Sequence, residues 1–156
     1  MDLQPYPLPS LDLLDSRPAS GNLSLRALLA SPEFQQLEPT LSLALGQTVE
    51  GAVRTADLSA MPHLLIGGAQ LTGKRTFLKA ILTTLLLRCR PADLRLLLVD
   101  STGETLRPFA DLPHLIAPIL TEDSHSIDAL MWAIGEMERR YAHLAAAGAR
   151  SIDRYN

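Results

Sequence analysis

"IGGAQLTGKRT", residues 66–76, is the stretch on which the reading of this chain turns. Gly68 is followed by four residues and then by Gly73 and Lys74, the opening of a phosphate-binding loop. In such a loop the glycines let backbone N–H groups turn inward around phosphate oxygens. The loop also opens a helix, whose dipole favours an anion. Lysine reaches the β and γ phosphates, and the Ser or Thr that follows it ligates magnesium. Gly-x4-Gly-Lys alone would arise by chance in a few per cent of chains this long, taking glycine at roughly 7% of residues. Context must therefore confirm it, and here it does. Before the loop lies "PHLLIGG" (62–68), a short apolar strand ending in glycines. After it, "GKRTFLKAILTTLLLRC" (73–89) carries Phe77, Leu78, Ile81, Leu82, Leu85 and Leu86 at helical spacing.

The candidate nucleotide-binding set is Gly68, Ala69, Gln70, Leu71, Thr72, Gly73, Lys74, Arg75 and Thr76. One member breaks the pattern. Arg75 puts a guanidinium where a hydroxyl should meet the metal, and a guanidinium has no lone pair to offer. Thr76 does not stand in, because one helical step turns the side chain by about 100°. Leu71 also occupies a position where glycine would let the backbone approach the phosphates closely. The expectation is weakened binding of magnesium-nucleotide and very slow hydrolysis. A guanidinium still pairs with phosphate oxygens without metal, so nucleotide binding can survive.

"LRLLLVD" (94–100) supplies a second element at a suitable distance. An apolar strand from Leu96 to Val99, expected to be buried on both faces, ends in Asp100 in the manner of a Walker B segment. The Asp of such a segment holds magnesium directly or through water, so Asp100 is the candidate metal ligand and a candidate catalytic residue. Glu104, four residues on, is the candidate for positioning an attacking water; a solvated loop carboxylate is the plainer alternative.

Organisation along the chain agrees with these placements. Residues 1–22 hold four prolines and a Ser/Gly-rich end, the composition of an extended linker. "LSLRALLASPEFQQ" forms a short helix before Pro39, with Pro32 at a break or first-turn position. "LSLALGQTVEGAVRTADL" reads as a hairpin punctuated by Gly46 and Gly51. "HLIAPIL" is expected to be a further strand, and residues 123–147 the longest helix. Ile127, Leu130, Met131, Ile134, Met137, Tyr141 and Leu144 make one stripe on that helix, with Gly148 placed to end it. Alternating buried strands and helices predict an α/β domain with a mainly parallel sheet flanked by helices, a P-loop NTPase core.

The bulk composition narrows the class. At 156 residues, 47% hydrophobic and 20% charged, the chain is long enough and apolar enough for a proper core. A net charge of −3 does not announce a nucleic-acid surface. Cys89 is the single cysteine, read as a small core residue, and it excludes an internal disulfide. The N-terminus lacks the basic and apolar character of a secretory leader, and "AILTTLLL" (80–87) is too short to span a membrane. These readings predict a cytoplasmic segment without membrane contact and leave open a membrane anchor on a longer parent protein. His63, His114, His125 and His143 have no metal-ligand spacing, and the first and second of them read as structural histidines at strand starts. Arg139 and Arg140 offer an arginine finger for a neighbouring subunit, against the plainer reading of a solvated face with Glu136 and Arg140 paired at i, i+4.

Several long segments together resemble the motor domain of the FtsK/SpoIIIE family of DNA translocases. They are "LPSLDLLD" (8–15), "LRALLASPEFQQ" (25–36), "LSLALGQTVEG" (41–51), "ADLSAMPHLLIGGAQLTGK" (56–74), "LRLLLVDSTGETLRPFADLPHLIAPILTED" (94–123) and "ALMWAIGEMERRYAHLAAAGARSIDRYN" (129–156). The resemblance implies a RecA-like core, ATP and Mg2+ as cofactors, double-stranded DNA as substrate and a hexameric ring of identical subunits. By position it carries Gly68, Gly73 and Lys74 onto the phosphate loop and Asp100 onto the Walker B carboxylate. Departures from the family gather at the same place. The family pattern Gly-Ser-Gly-Lys-Ser is here Leu71-Thr72-Gly73-Lys74-Arg75. Pro-Lys after the Walker B Asp is here Ser101-Thr102, and Thr105 takes the position of the family's Glu, beside Glu104. The family's α/β subdomain between "LPSLDLLD" and "LRALL" is missing, and the chain stops before the rest of the motor core. The expected organisation is a Pro-rich linker over 1–22 and a partial, incomplete motor domain over 23–156. Two functions follow as expectations. One is the ATP-binding part of a DNA translocase motor serving chromosome segregation. The other is a non-catalytic P-loop module acting as scaffold or partner in a motor assembly.

Overall fold

Ser31-Pro32 shows how local chemistry starts the fold. The Ser31 hydroxyl accepts from the Phe34 N–H at 3.3 Å, and Pro32, at the first helical position, lacks the donor that would otherwise be orphaned. The helix it opens, α2 (Pro32–Gln35), follows α1 (Leu25–Leu29). The computed structural model describes residues 7–11, 14, 23–37, 41–61, 63–150 and 152–155. Most of the linker expected over 1–22 lies outside the described residues. The chain divides into two compact units, residues 1–95 and 96–156, each taken by itself below.

In the first unit β1 (Ser42–Gln47) and β2 (Val53–Asp57) form the expected hairpin, antiparallel. Its register runs Ser42↔Asp57, Leu43↔Ala56 and Ala44↔Thr55, then skips to Gly46↔Arg54, leaving Leu45 as a bulge. Gly46 takes the bend with φ 140°. Consecutive residues of β1 point to opposite faces, yet Leu43 and Ala44 are both buried. The explanation is a helix layer on each side. Leu43 packs with Ile81 and Leu85 of α3 (Lys74–Arg88), whereas Ala44 packs with Leu28, Leu29 and Phe34 of α1 and α2. Leu11 and Leu14, from the described part of the N-terminal segment, pack against this second cluster.

The helix that begins at the phosphate loop is α3, and its far end is fastened. Arg88 donates to the carbonyls of Phe34 at 3.2 Å and Leu37 at 2.6 Å, and its guanidinium lies 4.8 Å from the Phe34 ring centroid. These bonds cap the last turn of α2 from outside it and join α3 to that helix. Cys89 is buried at the end of α3, where burial pushes its thiol up from the ordinary range. That is the core role expected of it.

In the second unit two segments meet through parallel bridges, Leu96↔Leu115 and Val99↔Leu120. The Leu96 N–H donates to the His114 carbonyl at 2.8 Å, and the Asp100 N–H to the Leu120 carbonyl at 2.8 Å. The long helix α4 (Asp123–Ala146) follows and ends where Gly148 turns left-handed, φ 68°. The Ala149 N–H closes back on the Leu144 carbonyl at 2.9 Å. A final short helix, α5, covers Ile152–Tyr155.

The α/β class holds, but the sheet differs from the one expected. Among the described residues the extended ladder is the two-stranded antiparallel hairpin, and parallel pairing is limited to the two bridges. Of residues 62–68, expected as a strand, 63–68 form no strand pairing among the described residues of their unit; Leu65 is 94% exposed, while Ile66 packs beside Leu43 and Ile81. An apolar run becomes a strand only where a neighbour offers a ladder, and the hairpin of this unit does not extend to it. Burial of Leu96–Val99 on both faces is also not observed: Leu98 is buried but Val99 is 45% exposed. The α4 stripe forms as a stripe, yet Ile127, Leu130, Met131, Ile134, Met137 and Tyr141 are each 47–64% exposed. His63 is exposed, unlike the buried His114, so only the second is a structural core histidine. No helix among the described residues is long and apolar enough to cross a membrane.

Candidate phosphate-binding site

Residues 67–73 turn from an extended approach into the first residue of α3, and each turn has a local cause. Gly73, the residue that caps α3, sits at φ 89°, the left-handed region where glycine is unhindered. Gly68 faces a tighter restriction. A Cβ there would come within 2.6 Å of the Thr72 hydroxyl oxygen, so a side chain at 68 would displace Thr72. The Thr72 hydroxyl itself donates to the Ala69 carbonyl at 2.8 Å, pinning the loop across its width. Lys74 folds back over the loop and donates from Nζ to the carbonyls of Gly68 and Ala69, both at 2.5 Å. An ammonium held over the loop in this way stands beside the place where phosphate oxygens would collect.

Gln70, Leu71, Thr72, Gly73, Lys74, Arg75 and Thr76 line an open cavity of about 660 Å3. The volume lies within the range of small-ligand sites. Leu71 is left-handed, φ 60°, with its side chain wholly in solvent. For a residue with a branched side chain that conformation costs roughly 1–2 kcal/mol, strain held at the loop's tip. Arg75 lines the same cavity from the first turn of α3 and is exposed. All the residues expected to form the loop, Gly68 to Thr76, are therefore brought together in the first unit.

Asp100 lies in the second unit, at 9% exposure, and its carboxylate is already engaged. One oxygen, Oδ1, accepts from the Thr102 hydroxyl at 2.7 Å and the Thr102 N–H at 3.2 Å. The other, Oδ2, accepts from the Leu106 N–H at 2.9 Å. The Thr102 hydroxyl bond, then the Leu106 N–H, hold the carboxyl below its ordinary range, against the opposing effect of burial. Neither Thr102, noted in the sequence only as a departure from the family's Pro-Lys, nor Leu106 was expected as a partner of Asp100. The signal for Thr102 was present in "DST", an aspartate two residues before a hydroxyl, the spacing of an Asx-type turn. Glu104 is exposed in the same turn, and its N–H donates to the Thr102 hydroxyl at 3.4 Å.

Arg139 and Arg140 are both engaged by Glu136 on α4. Arg139 bonds it at 2.7 and 2.8 Å and Arg140 at 2.7 Å, the paired helix face expected of them. Between them they pull the Glu136 carboxyl down to about 2.

A family model described as the FtsK/SpoIIIE family matches residues 24–156. The chain belongs to the FtsK/SpoIIIE family. Relatives include the DNA translocase FtsK of Brucella melitensis, 37% identical over 132 residues, and that of Clostridium tetani, 39% identical over 132 residues. The DNA translocase SftA of Bacillus subtilis is 38% identical over 134 residues. These matches take in 85%, 85% and 86% of the chain but only 16%, 18% and 14% of the relatives. This FtsK/SpoIIIE chain therefore spans a small part of the length of the proteins it matches. The family is one of ATPases, generally using ATP and Mg2+.

Position 75 of this FtsK/SpoIIIE chain does not fit a magnesium ion. Magnesium demands near-octahedral oxygen ligands, a hydroxyl and carboxylate among them in a P-loop site. At position 75 stands a guanidinium without a lone pair, where a hydroxyl would be needed.

Proposed function

We propose that this chain is the nucleotide-binding part of an FtsK/SpoIIIE-type DNA translocase motor, with ATP held at Gly68–Thr76. The observation that carries the reading is the Lys74 ammonium lying across the Gly68 and Ala69 carbonyls at the mouth of α3. On ligand binding Lys74 exchanges those carbonyls for phosphate oxygens, while loop N–H groups and the helix dipole complete the anion site. In the assembled motor, double-stranded DNA is the substrate, identical subunits form a ring, and the segment works in the cytoplasm. The parallel RecA-like sheet belongs to that complete core, a reading that the two isolated parallel bridges of residues 96–120 support. The test is ATP binding by the chain and by a Lys74→Ala variant. Micromolar to millimolar binding that the variant loses supports the reading. Equal binding by both proteins, or none by either, refutes it.

A second reading has specific support. Arg75 at the hydroxyl position and the committed carboxylate of Asp100 favour a non-catalytic module that sits within a motor assembly as scaffold or partner. In the catalytic reading Asp100 holds the metal and Glu104 orients water. In the non-catalytic one neither acts. Steady-state ATP hydrolysis with magnesium separates the two: turnover lost in Asp100→Ala establishes the motor, and absence of turnover despite ATP binding establishes the module.

A further inference from the structure

Lys74 and Arg75 are neighbours at the start of α3 but are engaged differently. Lys74 donates to two loop carbonyls. Arg75 lines the cavity and, among the described residues, has no hydrogen-bond or ion-pair partner. It is thus the uncommitted cation of the loop. A serine or threonine here would be neutral and would serve by ligating metal. A guanidinium brings a permanent positive charge and a planar fork of N–H donors that pairs with two phosphate oxygens at once. Those are the same two services, charge neutralisation and oxygen clamping, that magnesium performs on a polyphosphate. The two cannot share one place, because a fixed cation repels the ion and competes for its oxygens.

We propose that the Arg75 guanidinium replaces magnesium at this loop, so that the site selects nucleoside polyphosphate in its metal-free form over the magnesium complex. The proposal rests on the reading of residues 68–76 as a nucleotide site. Its geometry is confined to the loop and first turn of α3. Magnesium chelation removes two negative charges from ATP and covers the oxygens the fork would bind, so the metal complex is the poorer ligand. Arg75 is a positioning and specificity residue here, and no bond is made or broken.

The experiment is calorimetric titration of ATP into the whole chain, in EDTA and in excess magnesium chloride, for wild type, Arg75→Ser and Lys74→Ala. Wild type should bind more tightly in EDTA. Arg75→Ser should lose about tenfold in EDTA, the worth of one charge-assisted pair, and should bind more tightly when magnesium is added. Because Arg75 is exposed, unchanged circular dichroism melting confirms that the variant folds. Wild-type binding tightened by magnesium overturns the proposal while leaving the nucleotide site standing. So does an Arg75→Ser protein with the wild-type metal preference. Absence of binding in both buffers overturns the site itself and the proposal with it. Lys74→Ala that binds as well as wild type does the same, by placing ATP elsewhere.

Discussion

Replacing Asp100 by Asn asks whether its carboxylate is a structural fixture or a free ligand. The two oxygens accept three bonds: from the Thr102 hydroxyl, the Thr102 N–H and the Leu106 N–H. An amide keeps one accepting oxygen and turns an NH2 group toward the other donor set. With the oxygen left facing Thr102, the N–H of Leu106, a residue only 4% exposed, meets another donor. A buried donor without an acceptor costs about 1–3 kcal/mol. The bonds to Thr102 survive but lose their charge assistance, roughly another 1 kcal/mol. The sum is about 2–4 kcal/mol, which for a chain of this size lowers Tm by roughly 4–16 °C. Urea or thermal denaturation at pH 7 measures it. The pH dependence gives a second check. The folded carboxyl is held below its unfolded value of 3.8, so its contribution is complete above that value. It is lost as pH falls through the lower folded value, and wild type and variant should converge there. An Asp100→Asn protein within about 0.5 kcal/mol of wild type at pH 7 would refute the reasoning, because the oxygens would then be free for other ligands.

Two further outcomes are expected. Arg88→Met keeps an unbranched apolar stem but removes the donors to the Phe34 and Leu37 carbonyls and the charge over the Phe34 ring. It should destabilise the first unit by about 2–3 kcal/mol in denaturant titration, and a loss below about 0.5 kcal/mol would show that the clamp is idle. In an NMR pH titration the Glu136 carboxyl should show a midpoint of about 2, and the double change Arg139→Ala and Arg140→Ala should return it toward 4.5. A midpoint that stays low without the arginines would contradict their role.

Elements that depend on their own sequence were legible. The phosphate loop and α3 followed from glycine placement and helical spacing, and α4 from a stripe ended by Gly148. The hairpin followed from apolar runs punctuated by Gly46 and Gly51. Elements that depend on a partner were not. Residues 63–68 are apolar enough for a strand, but an apolar run does not encode whether a neighbour's N–H and C=O groups are available to it. The α4 stripe shows the same limit: periodicity identifies one apolar face and says nothing of what lies against it. Site chemistry divided similarly. Arg75 and Leu71 were visible as wrong residue types at known positions. The enclosure of Asp100 was not, because the Leu106 N–H reaches it from a backbone that sequence pattern does not place.

The fastening of Arg88 to α2 has a mechanical meaning for the loop. With 15 residues, α3 is a rod about 22 Å long, gripped at its heel while its toe carries the phosphate loop. A tilt of about 5° about that heel would sweep the toe by about 2 Å over such a length, comparable with the reach of a hydrogen bond. The packing of Ile81 and Leu85 against Leu43 opposes such a tilt along the middle of the rod. Grip and packing together therefore keep the Lys74 ammonium in register with the loop carbonyls.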